Sequence, residues 1–228
     1  MSPADVVFLF DVDNTLLDND QVVADLADHL DRQFGAPARQ RYFAIFEELR
    51  HKLGYADYLG ALQQYRGENP HDVRLLCISA FLIDYDFAAR LYPGALAALA
   101  SCRRQSRIAI LSDGDVVFQP RKVQRAGLQD AVAGHVLIYI HKEQMLADVA
   151  QRYPAAHYVM VDDKLRILDA MKRQWGPRLT TVFVRQGHYA RDPEILRQYP
   201  LADHNLDGIG DLPPCADAIL AQLREATP

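Results

Sequence analysis

The sequence predicts an α/β fold with a parallel sheet of about five strands. Two observations indicate this: short β-rich runs that are apolar on successive residues, as strands covered on both faces are, and helical patterns between them. Strands that alternate with helices of this length form the crossover units of a parallel sheet. The runs lie at 6–10, 108–112, 136–140, 157–161 and 181–184, and the helical patterns at 116–127, 143–153 and 164–175.

Most of the long interval between the first two runs has helical patterns and no convincing strand. Apolar residues recur on one helix face at its start, with Asp20 as the predicted N-cap and Asp18 as a turn acid before it. Further helical patterns lie at 41–53, 55–65 and 73–83. We therefore expect an all-helical domain over 20–90, inserted into a core domain made of 1–19 and 91–228.

Composition and charge argue against several classes of protein. The net charge of −5 disfavours a nucleic-acid binder, which needs a basic face. The basic stretches at 102–107 and 119–125 are expected to be solvated helix faces. Three distant cysteines without a CxxC pair indicate a reduced, cytoplasmic protein, and the first apolar run is too short for a signal peptide or a membrane span. Both a monomer and a homodimer stay open.

Reactive polar side chains follow four of the predicted strands at the point where each strand ends. Because the carboxyl ends of parallel strands lie at one edge of the sheet, we expect these residues to form one site. Two pairs of acids come from two different strands, which is more than the ordinary polarity of loops requires. The residues are Asp11 and Asp13 after the first strand, Ser112, Asp113 and Gly114 after the second, Lys142 after the third, and Asp162 and Asp163 after the fourth.

Two acid pairs at one edge predict a bound divalent cation. Neighbouring carboxylates raise each other's pKa, and a cation removes this repulsion. The available ligands are hard oxygens without a cysteine or histidine set, which suits Mg2+ better than Zn2+. Lys142 adds a second positive charge at the same edge, so the predicted site is suited to a phosphoryl group.

Asp11 and Asp13 can divide the chemistry of phosphate-ester hydrolysis between them. Asp11 lies closest to the strand end and is the predicted nucleophile, which gives an aspartyl-phosphate intermediate. Asp13 can reach the same side and is the predicted general acid and base, because the leaving oxygen gains a proton and the attacking water loses one.

The motifs, in this order, resemble those of the haloacid dehalogenase (HAD) superfamily of hydrolases. The stretch "DVDNT" resembles the first motif, DxDxT, and "IAILSDG" resembles the second, a strand that ends in Ser or Thr. Lys142 and "VMVDDK" resemble the third and fourth motifs. The resemblance implies a HAD-like Rossmannoid core, with a helical (C1) cap of the dehalogenase and phosphoglycolate phosphatase type inserted after strand 1.

The resemblance also implies a role for each residue. Asp11 would attack the substrate and bind Mg2+, and Asp13 would transfer the proton and place its backbone carbonyl on the metal. Thr15 would brace this loop. The remaining implied roles are phosphoryl binding by the Ser112 hydroxyl and the N–H groups of Asp113 and Gly114, charge neutralisation by Lys142, direct metal coordination by Asp163, and support of that ligand by Asp162.

The predicted function is Mg2+-dependent hydrolysis of a small phosphate monoester. A 2-haloacid dehalogenase is the rival within the superfamily, but halide leaves without a proton, and that branch lacks an acid at the position of Asp13. A sugar-phosphate mutase and a non-catalytic protein of the same fold stay as alternatives. A dinucleotide-binding protein is disfavoured, because the first loop is acidic and has no glycine before Gly35. The sequence does not name the substrate.

Overall fold

Six strands form one parallel sheet in the computed structural model, which describes residues 5–225. The strands are β1 Val6–Phe10, β2 Arg107–Asp113, β3 Val136–Tyr139, β4 His157–Asp162, β5 Leu179–Val184 and β6 His204–Leu206. Every pair of neighbouring strands is parallel, and their order is β3-β2-β1-β4-β5-β6. The predicted α/β fold with a parallel sheet is confirmed, and β1 and β4 lie at its centre.

The sixth strand is absent from the sequence prediction. β6 has only three residues, pairs with β5 at the edge of the sheet, and has half-buried or exposed side chains. It therefore lacks the continuous apolar run by which the other five strands are recognised.

Helices cover the sheet and occupy the long interval after β1. None of the helices within residues 5–225 is long and apolar enough to cross a lipid bilayer. The helices are α1 Asn19–Phe34, α2 Ala36–Leu53, α3 Tyr58–Glu68, α4 Leu75–Asp84, α5 Ala95–Gln105, α6 Phe118–Arg125, α7 Leu128–Ala131, α8 Leu146–Arg152, α9 Leu165–Trp175, α10 Pro193–Leu196 and α11 Leu212–Glu225.

The central strand β1 is buried over its whole length because helices pack on both faces of the sheet. Successive side chains of a strand point to opposite faces. Phe8 and Phe10 accordingly belong to one hydrophobic cluster, with residues of α5, α6 and α11, whereas Val7 and Leu9 belong to a second cluster with α8 and α9. This packing fixes the end of β1 at the middle of the carboxyl edge.

Four α-helices, α1 to α4, and a short 3-10 helix at Phe87–Arg90 lie between β1 and α5, where the helical insert is predicted. They contact the core at several points: the rings of Tyr58 and Phe118 have centroids 5.2 Å apart, and Arg50 donates to the Tyr189 hydroxyl at 3.2 Å. The insert therefore lies against the core near the carboxyl edge. Its division from the core as a separate domain over 20–90 stays a prediction.

The predicted N-cap of α1 is wrong. Asp18, not Asp20, caps this helix, since its carboxylate accepts the backbone N–H of Gln21 at 3.0 Å. Asp20 lies in the first turn and turns back towards the loops of the sheet. Its carboxylate accepts the Asn14 amide at 3.0 Å and the His188 backbone N–H at 2.8 Å.

Candidate active site

The loop after β1 is a tight turn that carries the first acid pair. The Asp11 backbone N–H still donates to Val161 in β4, at 3.0 Å, so Asp11 is held by the sheet. The turn needs a positive φ at Asn14 (61°), which asparagine tolerates better than most residues. Thr15 Oγ1 donates to Asp11 Oδ2 at 3.3 Å, and the bracing role of Thr15 stays a prediction.

Lys142 lies between carboxylates from two strands. Its Nζ is 2.5 Å from Asp11 Oδ1 and 2.7 Å from Asp162 Oδ2, and all three side chains are buried. Burial alone would lower the pKa of Lys142, but the attraction of Asp11 and Asp162 outweighs it and raises that pKa. Lys142 therefore favours its charged form beside Asp11, the predicted nucleophile.

Asp162 and Asp163 differ in their partners. Asp162 Oδ1 accepts the Lys164 backbone N–H at 2.9 Å, and its other oxygen is in ion-pair contact with Lys142. Both oxygens of Asp163 are buried and have no hydrogen-bond partner among residues 5–225. Burial raises the pKa of Asp163 well above its ordinary value, against the opposing effect of Lys164. A buried carboxylate without a hydrogen-bond partner is costly, and a cation bound at Asp163 would offset that cost.

The residues present fit a divalent metal ion. Carboxylate oxygens of Asp11, Asp162 and Asp163 all lie within 4.8 Å of one another, and the three residues are buried. These are hard oxygen donors of the type that Mg2+ prefers. Within residues 5–225, Asp162 Oδ2 and both oxygens of Asp163 are buried without a hydrogen-bond partner, and Asp162 Oδ2 is in ion-pair contact with Lys142. Which of the two acids binds the ion directly stays a prediction.

The end of β2 brings Ser112, Asp113 and Gly114 beside Lys142. The Asp113 carboxylate accepts the Lys142 backbone N–H at 2.8 Å, which ties the β2 and β3 loops together. Burial raises the pKa of Asp113, while Lys142 opposes that shift. The Gly114 N–H donates to the carbonyl of Tyr139 at 2.9 Å, so this predicted phosphoryl donor is already engaged within the protein.

Two residues of α6, which the sequence analysis did not assign to the site, also belong to it. Lys122 is buried and its Nζ lies 2.7 Å from Asp13 Oδ1. Gln119 is also buried; it donates to Ser112 Oγ at 3.0 Å and more weakly to Asp13 Oδ2 at 3.4 Å. The interpretation of 119–125 as a solvated face is therefore wrong for these two residues.

Their position in α6 contains the signal that could have identified them. Gln119 and Lys122 share the buried side of the helix with Phe118 and Val123. Polar residues spaced among apolar ones on one helix face are expected to point inwards, where they need polar partners. Gly114 makes room for this face, because a Cβ at its position would lie 2.5 Å from Gln119 Cβ.

Lys164 is a further cation that the sequence analysis left out. It follows Asp163 directly, and its Nζ lies 5.5 Å from the centre of the Tyr189 ring. Burial would lower the pKa of Lys164, but the attraction of Asp163 and Asp11 raises it. Even with Lys122 and Lys164, the carboxylates at this edge outnumber the ammonium groups, which again favours a bound cation.

A cavity of about 820 Å3 opens over this edge of the sheet. Asp13, Asp163 and Lys164 line it from the core side. The insert contributes a mixed wall of aromatic and charged side chains, which are Phe43, Phe46, Glu47, Arg50, Tyr55 and Tyr58. A small organic molecule can thus contact the acids and the insert together.

The structure brings all the predicted site residues to one edge of the sheet, as the strand-end rule leads one to expect. Their catalytic and ligand roles stay predictions. The residues brought together are Asp11, Asp13, Thr15, Ser112, Asp113, Gly114, Lys142, Asp162 and Asp163.

Comparison with known proteins places this arrangement in a family. Residues 6–173 match the family model of haloacid dehalogenase-like hydrolases. No protein with a curated description matches the chain. A protein from Burkholderia xenovorans LB400 described as a haloacid dehalogenase-like hydrolase is 65% identical, with a TM-score of 0.87 over 92% of this chain and 98% of that chain.

More distant solved structures share the fold. The HAD-hydrolase YfnB from Bacillus subtilis, in a form bound to magnesium, is 16% identical, with a TM-score of 0.59 over 94% of this chain and 99% of that chain. The L-2-haloacid dehalogenase from Xanthobacter autotrophicus is 22% identical, with a TM-score of 0.60 over 95% of this chain and 99% of that chain. Identities this low show a common fold alone.

Proposed function

This chain belongs to the haloacid dehalogenase-like hydrolases, and we propose that it hydrolyses a small phosphate monoester, with Mg2+, through an aspartyl-phosphate at Asp11. The hydrolase class comes with the family. The substrate, the metal and the residue roles are the content of the proposal.

The observation that carries the proposal is the placement of Asp13. Its carboxylate lines the cavity, remains partly exposed, and stands two residues from Asp11, whose own carboxylate is buried. Phosphate-ester hydrolysis needs such a second acid, because an alkoxide leaving group must be protonated. Displacement of a halide needs no proton donor at this position.

Two displacement steps follow from these positions. The Asp11 carboxylate attacks phosphorus while Asp13 donates a proton to the leaving oxygen, so the ester P–O bond breaks as the aspartyl P–O bond forms. Asp13, now a carboxylate, removes a proton from water as that water attacks the phosphorus. Phosphate leaves, and both aspartates return to their starting states.

Ser112 and Lys142 are suited to hold the transferring phosphoryl group. Gln119 donates to the Ser112 oxygen at 3.0 Å, and the Ser112 hydroxyl donates over a long 3.4 Å to the Asp113 carbonyl, a contact that it would exchange for a phosphoryl oxygen. Lys142 places a fixed positive charge beside Asp11, where negative charge meets negative charge during attack. Asp113 and Gly114 stay as predicted phosphoryl contacts, with the Gly114 N–H first having to leave Tyr139.

Asp11 and Asp163 would hold Mg2+, with the Asp13 carbonyl as a further ligand and Asp162 as the supporting acid. Support comes from the orphaned oxygens of Asp163 and from the hard oxygen donors around it. When bound, Mg2+ would offset the charge of the phosphoryl oxygens. YfnB, which has this fold, is a protein that binds magnesium.

The main rival is a 2-haloacid dehalogenase on the same fold. Solved L-2-haloacid dehalogenases are among the structural neighbours, at identities near 20%. The same Asp11 could displace halide from carbon. The leaving halide would then need no proton from Asp13, and the exposure of Asp13 to the cavity would have no purpose in the reaction.

A parallel assay separates these functions. Wild-type protein is supplied with a panel of phosphate monoesters and of 2-haloacids, with Mg2+ and with chelator, and released phosphate and halide are measured. We expect phosphate release that requires Mg2+ and is abolished by Asp11→Asn. Asp203→Asn is the matched control, because Asp203 pairs with Lys172 outside the cavity.

Other results would contradict the proposal. Halide release without phosphate release would identify a dehalogenase, and transfer of phosphate between sugars that requires a bisphosphate activator would identify a mutase. Full phosphate release by Asp11→Asn would exclude Asp11 as the nucleophile.

A further inference from the structure

Lys122 stands outside every motif of the site, yet it contacts the proposed proton donor. It lies on α6, 109 positions from Asp13 in the chain, and its side chain is 1% exposed. A buried ammonium is costly unless it is paired and hydrogen-bonded. The contacts that Lys122 makes should therefore explain why it is there.

Three contacts hold the ammonium in place. Lys122 Nζ donates to Asp13 Oδ1 at 2.7 Å and to Asn19 Oδ1 at 2.9 Å, and it lies 5.2 Å from the centre of the Phe118 ring. Asn19 is the first residue of α1. Lys122 thus ties the Asp13 carboxylate to the first residue of α1.

The ion pair leaves part of the Asp13 carboxylate free. Oδ1 is held by Lys122, whereas the hydrogen bonds of Oδ2 within residues 5–225 are limited to the long 3.4 Å contact with Gln119, and the Asp13 side chain is 25% exposed at the cavity. A pair that served packing alone would enclose both partners. Here Lys122 is enclosed, whereas the Asp13 carboxylate is partly exposed at the cavity.

We propose that Lys122 is a positioning residue, which holds one oxygen of Asp13 so that the other faces the leaving group of the substrate. This inference rests on the proposed phosphatase function. In this role Lys122 acts on the reaction through Asp13, with which it is paired. Gln119 supports the same carboxylate and the Ser112 hydroxyl from the same helix face.

This role predicts a particular dependence on the leaving group. A misplaced Asp13 matters most when the leaving oxygen is strongly basic, and least when it departs without a proton. General acid–base catalysis contributes about 100-fold or more to such reactions. We therefore expect Lys122→Met to lower kcat/KM by about tenfold or more for an alkyl phosphate, and only slightly for p-nitrophenyl phosphate.

The test compares kcat/KM for alkyl, phenyl and p-nitrophenyl phosphate in four proteins: wild type, Lys122→Met, Asp13→Asn and the double variant. The value of kcat/KM reports the step in which the leaving group departs. Lys172→Met is the matched control, since Lys172 also pairs with an aspartate but lies outside the cavity. Thermal unfolding confirms that each variant is folded, and Lys122→Gln replaces Lys122→Met if the latter does not fold.

The expected result is a loss that grows with the basicity of the leaving group in both single variants, and a double variant no slower than Asp13→Asn. An equal loss on all three esters, or a double variant in which the two losses multiply, would overturn the positioning role. If the wild type hydrolyses none of the esters, the proposed function fails, and this inference fails with it.

Discussion

The ammonium of Lys142 lies 2.5 Å from one carboxylate oxygen of Asp11, and both side chains are buried. The two residues come from loops after different strands, β1 and β3, that are separated in the sheet by β2. Asp162 supplies a second carboxylate to the same ammonium, at 2.7 Å. Lys142 thus forms an ion pair with one acid of each pair, Asp11 and Asp162.

Replacing Lys142 by Met should destabilise the protein and abolish its activity. Removing one partner of a buried ion pair leaves the other charge uncompensated, at a cost of about 3–5 kcal/mol. Urea denaturation without metal measures this loss of unfolding free energy, and the half-exposed pair removed by Lys172→Met should cost no more than about 1 kcal/mol. A Lys142→Met protein as stable and as active as the wild type would contradict the arrangement.

Metal-free protein should lose stability as the pH rises. Burial raises the pKa of Asp163 above its ordinary value of 3.8, so the folded state favours the protonated acid. The resulting stability is complete below the ordinary value and is lost as the pH rises through the raised pKa. Urea midpoints from pH 4 to pH 8 in chelator should fall, and Mg2+ should reverse the fall by binding the folded state.

Asp163→Asn provides the control for that measurement. The amide cannot ionise, so the variant should show a shallower decline with pH, with the remainder due to Asp162, whose pKa is also raised by burial. It should also lose most of the stabilisation by Mg2+. If Mg2+ stabilises Asp163→Asn as much as the wild type, Asp163 is not the metal ligand.

Gly187→Ala should disturb the catalytic loop from a distance. Gly187 has φ 70°, and a Cβ there would lie 2.4 Å from Asn14 Cγ, in the turn between Asp13 and Thr15. Both the left-handed backbone and the overlap are unfavourable, by about 1–2 kcal/mol and about 1–3 kcal/mol respectively.

Gly134→Ala separates the two effects. Gly134 also has a positive φ, 80°, but a Cβ there meets no atom within 4 Å. The Gly134→Ala variant should lose unfolding free energy through its left-handed backbone alone and keep full activity. The Gly187→Ala variant should lose more unfolding free energy and should also have a lower kcat. Equal effects of the two substitutions on stability and on kcat would show that contact with Asn14 is unimportant.

The sequence predicted the parts of this site that depend on topology. Apolar runs identify strands buried on both faces, and the residue after each run lies at the carboxyl edge. Asp11, Ser112, Lys142 and Asp163 are therefore found together without knowledge of any contact. β6 escaped this reasoning because its three residues have no apolar run.

Residues that enter the site from helices were not predicted in this way. Lys122 and Gln119 lie in a stretch rich in charge, and charge usually indicates solvent. The indication to the contrary is their spacing with the apolar Phe118 and Val123, with which they share the buried side of α6. Asp20 was misassigned for a similar reason, since either Asp18 or Asp20 could cap a helix, and the choice depends on the contacts of Asp20 with Asn14 and His188.

The position of solvent oxygen after turnover tests directly whether water attacks phosphorus or the carbonyl carbon of Asp11. A phosphate ester of the panel is hydrolysed in H2(18O), and mass spectrometry measures the label in the released phosphate and in the Asp11 peptide. If water attacks the phosphorus of an aspartyl-phosphate at Asp11, one 18O should appear in the phosphate and none in the Asp11 carboxylate. Appearance of 18O in the Asp11 carboxylate, with halide released from a 2-haloacid and no labelled phosphate from any ester, would contradict the account, because water would then have attacked the carbonyl of an aspartyl ester.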